Sequence, residues 1–77
     1  MIKLLQITGY YLGKDKYGNE TYTIDGVTYD APKGYVGHPT KRVWIRANVV
    51  KIESSDIGKT LWVMYNEKGW TIKAEVK

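Results

Sequence analysis

A chain of 77 residues with no cysteine and a net charge of +4 is one small domain, held together by its hydrophobic core with neither a disulfide framework nor a thiolate metal site. The opening MIKLLQITGYYLG has only a brief apolar run, broken by Lys3, Gln6 and Thr8, which predicts neither a signal peptide nor a membrane span and so a cytoplasmic protein. A sequence pI near 9.3 leans toward a polyanionic partner, and the aromatic set of seven Tyr and three Trp without any Phe suits rings that sit half in water.

Ile2 to Leu12 reads as a first strand, with Gly9 marking a bulge or bend and Leu5, Ile7 and Tyr11 sharing one face by simple alternation. GKDKYGNE, Gly13 to Glu20, is turn-rich and polar and connects strands as an exposed loop. In Thr21 to Asp30, Asp25-Gly26 stands between two alternating runs and predicts a two-residue hairpin turn. Ile24 then opposes Val27, Thr23 opposes Thr28 and Tyr22 opposes Tyr29. This reading gives Asp25 no chemistry.

APKGYVGHPT, Ala31 to Thr40, holds both prolines and the one histidine and has no strand pattern, so it is a long loop. It leads into KRVWIRANVVKI. Val43, Ile45, Ala47 and Val49 fall on one face of that strand, and Arg42, Trp44, Arg46 and Asn48 on the other. After Val49 the alternation slips, which predicts a bulge or a strand crossing between sheets. Between Asp30 and Glu53 the chain carries Lys33, Lys41, Arg42, Arg46 and Lys51 with no acid among them, which concentrates positive charge in its middle.

ESSDIGK, Glu53 to Lys59, has room for a turn or one round of 3₁₀ helix, with Ile57 as a plug into the core. TLWVMYNEKGWTIKAEV then forms a second hairpin across Asn66 to Gly69. Opposing Tyr65 to Trp70, Val63 to Ile72 and Leu61 to Ala74 gives an apolar face and leaves Trp62 and Met64 outward beside Lys73. A one-residue slip would exchange the faces. The whole predicts an all-β domain, a small five- or six-stranded barrel or rolled antiparallel sheet, SH3-like in preference to OB-like.

Motifs for chemistry are sparse. Gly58-Lys59-Thr60 has Glu53 where a phosphate-binding loop needs its first glycine, and Gly34-Tyr35-Val36-Gly37 lacks the flanking helices of a nucleic-acid GxxG clamp. His38 has no second histidine or cysteine to complete a metal set, and no base is apparent for Ser54 or Ser55. The expectation is therefore a protein without catalysis, metal or cofactor. What remains is a basic and aromatic surface: Arg42, Trp44 and Arg46, with Lys33, Tyr35 and Lys41 before them and Trp62 and Lys73 across the sheet. Cations neutralise phosphates and flat rings stack on bases, which points to DNA or RNA. Trp, Tyr and Arg also anchor protein interfaces, so the alternative is a protein-interaction module, such as an accessory or inhibitory protein of a mobile genetic element.

Overall fold

A computed structural model describes residues 2–77. Five strands occur in the order β1 (Ile2–Lys14), β2 (Glu20–Val27), β3 (Thr40–Arg46), β4 (Thr60–Tyr65) and β5 (Thr71–Val76), with a 3₁₀ turn at Ser54–Asp56. All neighbours pair antiparallel in one sheet of order β3-β2-β1-β4-β5. The all-β expectation holds with five strands. The sheet is open, with β3 and β5 as its edges. Among the described residues no helix is long and apolar enough to cross a membrane.

The long strand β1 organises the rest. Ile2 to Gln6 pair with β4, and Gln6 to Lys14 pair with β2. Within the β1–β2 pairing the register shifts, passing from Ile7 opposite Gly26 to Gly9 opposite Asp25, so Thr8 is the extra residue of a bulge. A bulge bends its strand. β1 is thus the central strand, with β2 and β3 on one side of it and β4 and β5 on the other. Leu5, Ile7, Leu61 and Val63 from β1 and β4 join Tyr22, Ile24, Val43 and Ile45 from β2 and β3 in one buried cluster.

The bulge also corrects the predicted alternation. Adding one residue flips the faces beyond it, so Tyr10 packs against the core while Tyr11 is exposed. The bulge therefore lies in β1 rather than after Val49. There β3 ends at Arg46 and the chain turns, the Val49 N–H donating to the Arg46 carbonyl at 3.0 Å.

The hairpin expected at Asp25-Gly26 is absent. β2 runs straight through both residues, Gly26 lying opposite Ile7 on one side and Lys41 on the other. Its lack of a side chain serves packing: a Cβ there would sit 2.5 Å from the Gln6 carbonyl oxygen and 2.5 Å from Leu5 Cγ. Tyr22, Thr23 and Ile24 accordingly face Leu12, Tyr11 and Tyr10 across the ladder rather than Tyr29, Thr28 and Val27.

The hairpins close elsewhere, by two turns of the same design. In the first, Asp15 Oδ1 accepts from the Tyr17 and Asn19 N–H groups, both at 2.9 Å, and Gly18 takes φ +83°. In the second, Asn66 Oδ1 accepts from the Lys68 and Trp70 N–H groups at 2.9 and 3.0 Å, and Gly69 takes φ +80°. Each Asx side chain stands in for a backbone carbonyl, and each glycine supplies the left-handed residue that joins the turn to the returning strand.

β4 and β5 pair with Leu61 opposite Val76 and Val63 opposite Ala74, two residues from the predicted register and with a bulge near Ile72. A two-residue offset keeps the faces, so Leu61 and Val63 are buried and Trp62, Met64 and Lys73 lie outward as expected, while Ile72 and Trp70 are exposed instead of opposing Val63 and Tyr65. The 3₁₀ turn forms where predicted, but Ile57 stays 45 % exposed, and Ile52, at 4 %, is the plug.

Candidate nucleic-acid interface

β3 alternates as its sequence requires. Val43 and Ile45 are buried, and Arg42, Trp44 and Arg46 are exposed, Trp44 at 64 %. Across the outer face the register sets Tyr11, Thr23 and Trp44 in one row. Thr23 is only 5 % exposed although it points outward, because both of its cross-strand neighbours are large rings. The row above holds Gly9, Asp25 and Arg42, and the row below Gly13, Thr21 and Arg46. The Tyr11 ring reaches over Gly13, where a Cβ would lie 3.9 Å from its edge.

Asp25 is not chemically idle. Its carboxylate accepts from Arg42 Nε at 2.7 Å and Nη2 at 3.3 Å, a two-pronged cross-strand pair. The hydrogen bond from Arg42 holds the Asp25 carboxyl below its usual range, and Asp25 in turn raises Arg42. Both side chains remain about half exposed, so the pair orients the guanidinium without hiding it.

The free edge of β3 is as informative as its face. Ala47 N–H donates to the Glu20 carbonyl and Thr28 N–H to the Pro39 carbonyl, each at 3.0 Å. In an antiparallel ladder every second residue turns its backbone to the neighbour, so residues 39, 41, 43, 45 and 47 bond β2. The backbone groups of Arg42, Trp44 and Arg46 therefore point away from the sheet. Along that edge runs a groove, walled on its far side by the β4–β5 hairpin.

One half of the groove, about 570 Å³, is lined by Lys3, Arg42, Tyr65, Asn66 and Lys68, with one carboxylate, Glu67, among them. The other, about 500 Å³, is lined by Arg46, Asn48 and Asp15. Trp44, Trp70 and Thr71 border both halves and form its waist. Trp70 is 63 % exposed and reaches this position because its backbone is tied to Asn66 in both directions, N–H to the side chain and carbonyl to the Asn66 N–H at 2.9 Å.

The structure thus brings Arg42, Trp44 and Arg46 together and adds Trp70, Lys3, Lys68 and Tyr11, which the sequence pattern did not assign to the site. Lys41, the second residue of β3, has the parity of Val43, is exposed and lines neither half of the groove. Lys33 and Tyr35 are exposed on the loop between β2 and β3 and do not line the groove. Trp62 and Lys73 belong to a separate hollow of about 90 Å³ with Met64 and Glu75, where the Lys77 ammonium lies 4.8 Å from the Trp62 ring centre. β2 and β1 intervene between β3 and β4, a separation of about 14 Å along the sheet. Neither Trp62 nor Lys73 lines the groove beside β3. His38 sits in the same loop as Lys33, edge-on to Tyr29 at 4.8 Å.

The chain matches no protein-family model, no curated protein and no solved structure, so function is argued from this surface alone.

Proposed function

We propose that the protein binds single-stranded DNA or RNA, without catalysing a reaction, in the groove along the free edge of β3. In this reading the fold is an SH3-like barrel left unsealed between β3 and β5, the protein works in the cytoplasm, and the unsealed seam is the binding site. The observation that carries the proposal is Trp44, an exposed indole at the waist of a groove with Arg42 on one side and Arg46 on the other. Bases stack on such rings, each stack contributing about 1–3 kcal/mol, while guanidinium groups hold the phosphates. Arg42 and Arg46 are four residues apart on an extended strand, about 13 Å, which suits phosphates on either side of a stacked base. A duplex hides its base faces and has nothing to offer Trp44.

Titrating the protein with an eight-residue oligothymidylate at low salt, followed by tryptophan fluorescence, tests this. Quenching that weakens steeply with salt, and is weaker for a duplex of equal length, is expected. No quenching or binding by any single strand at low salt overturns it. A protein partner is the second reading, favoured by the unpaired backbone groups of Arg42 and Trp44, on which an extended segment could add a strand.

A further inference from the structure

β5 is the second edge of the sheet, and its residues form a self-complementary pattern. Thr60 and Lys77 exchange both backbone hydrogen bonds, at 3.1 and 2.9 Å, which makes them a hydrogen-bonded pair of the antiparallel ladder. Counting back by twos, Glu75 and Lys73 turn their backbones to Trp62 and Met64, and Ala74 and Val76 turn theirs to the free side. Among the described residues no segment outside β4 exchanges a backbone hydrogen bond with Ala74 or Val76. The groove beside β3 reaches Thr71 and no later residue of β5, so this edge is a separate surface.

An exposed edge accepts another strand unless its side chains forbid it. Lys73 and Glu75 are exposed on the outer face beside Trp62 and Met64. Lys73 makes no ion pair among the described residues, and Glu75 meets the Lys77 ammonium only at 4.0 Å, with both side chains more than half exposed. Pairing β5 with a second copy of itself, antiparallel about a two-fold axis, sets these charges against each other in a way that depends on the register. Centred on Lys73, the pairing puts lysine against lysine. Centred on Glu75, it puts glutamate against glutamate and Lys73 against Lys77. Centred on Ala74, it puts Lys73 opposite Glu75 of the second copy twice over, and the half-exposed Ile72 opposite Val76. Opposite charges in directly facing positions favour a strand pair and like charges oppose it. β3 has no such register about its middle, because centring on Trp44 sets Arg42 against Arg46.

We propose that the protein forms a two-fold dimer through β5, antiparallel and centred on Ala74, held by backbone hydrogen bonds at Ala74 and by two Lys73–Glu75 ion pairs between the copies. This goes beyond the nucleic-acid reading and does not depend on it, since Arg42, Trp44 and Arg46 take no part. A strand pair this short buries less than a standard interface, so the dimer is weak, with a Kd of roughly 0.1 mM.

Sedimentation velocity over a concentration series bracketing that value tests it. The wild type should pass from one-chain to two-chain mass. Lys73→Glu and Glu75→Lys each replace two attractive pairs by two repulsive ones and should each weaken self-association about tenfold or more. An equimolar mixture of those two variants should recover the dimer, because every facing pair is then of opposite charge. A wild type that stays monomeric throughout, single variants that associate like the wild type, or a mixture that associates no better than its components would each overturn the proposal. A measurement on the wild type alone guards against misfolding. The amide proton of Ala74 should exchange more slowly as concentration rises, while that of Trp44, on the other free edge, should not change. Slowing at Trp44 and not at Ala74 would place the contact on β3 and overturn the assignment to β5.

Discussion

Gly26 is the sharpest test of the fold, because two incompatible pictures of the chain give it opposite roles. Packed in the middle of β2, it leaves room for the Gln6 carbonyl and the Leu5 side chain, each of which would be 2.5 Å from an added Cβ. A carbonyl in a ladder cannot retreat without moving its strand, and Leu5 is 1 % exposed, so neither neighbour yields easily. Overpacking of this kind costs about 1–3 kcal/mol, and the backbone clash puts Gly26→Ala at the top of that range. The loss of unfolded-chain entropy returns about 0.4–1 kcal/mol. A net destabilisation of about 2–3 kcal/mol follows, which lowers Tm by about 10–20 °C for a domain this size. Gly26→Asn should be worse still, because its side chain is larger. At a hairpin turn the order reverses, since asparagine tolerates the left-handed conformation better than alanine does. Thermal unfolding followed by circular dichroism reads both variants. A smaller loss of Tm for Gly26→Asn than for Gly26→Ala would refute the continuous β2 strand.

Other consequences follow from named contacts. Leu61 is fully buried where β4 meets the core, so Leu61→Ala should cost about 2–5 kcal/mol in urea unfolding, a large share of a total on the order of 4–10 kcal/mol. Asp25→Asn removes the carboxylate that holds Arg42. It should tighten oligothymidylate binding about two- to fivefold in anisotropy titrations, and weaker binding would mean that the pair positions Arg42 productively. Asp15 and Asp25 both titrate below the ordinary 3.8, Asp15 chiefly through the Asn19 N–H and Asp25 through Arg42. Their contribution to stability is complete above the unfolded value and is lost as pH falls through the folded ones, so urea midpoints should drop below about pH 4 and drop less in Asp15→Asn. Lys3 is depressed from 10.5, first by burial and then by Lys41, so its charge opposes folding below that pH. Lys3→Met should raise the urea midpoint near neutrality, with the gain shrinking as pH approaches 10.5, and a lowered midpoint would contradict that depression.

Much of this architecture is legible in the residues, because alternation is a strict geometric rule. The faces of β3 and β4 follow from it directly, as does the Asn66-to-Gly69 turn. Asp25-Gly26 misleads because the signal for a hairpin turn and the need for a residue without a side chain use the same glycine. Only the neighbouring strand distinguishes them, and its identity is a long-range fact. Tyr11 is misplaced by the opposite omission: Gly9 announces a bulge, and a bulge flips every face beyond it, so the sign of the alternation had to change there. Trp70 was within reach, since the turn places it just past Gly69, but its place beside Trp44 in the groove is a long-range fact.

Whether the groove beside β3 holds a single nucleic-acid strand through Arg42, Trp44 and Arg46 is tested most directly by the salt dependence of oligothymidylate affinity, measured for the wild type and for Arg42→Ala/Arg46→Ala. Two lost phosphate contacts should reduce the slope by about 1.4 and weaken binding at every salt concentration while Tm changes little. Equal slopes and equal affinities for the two proteins, or no binding by either, would contradict it.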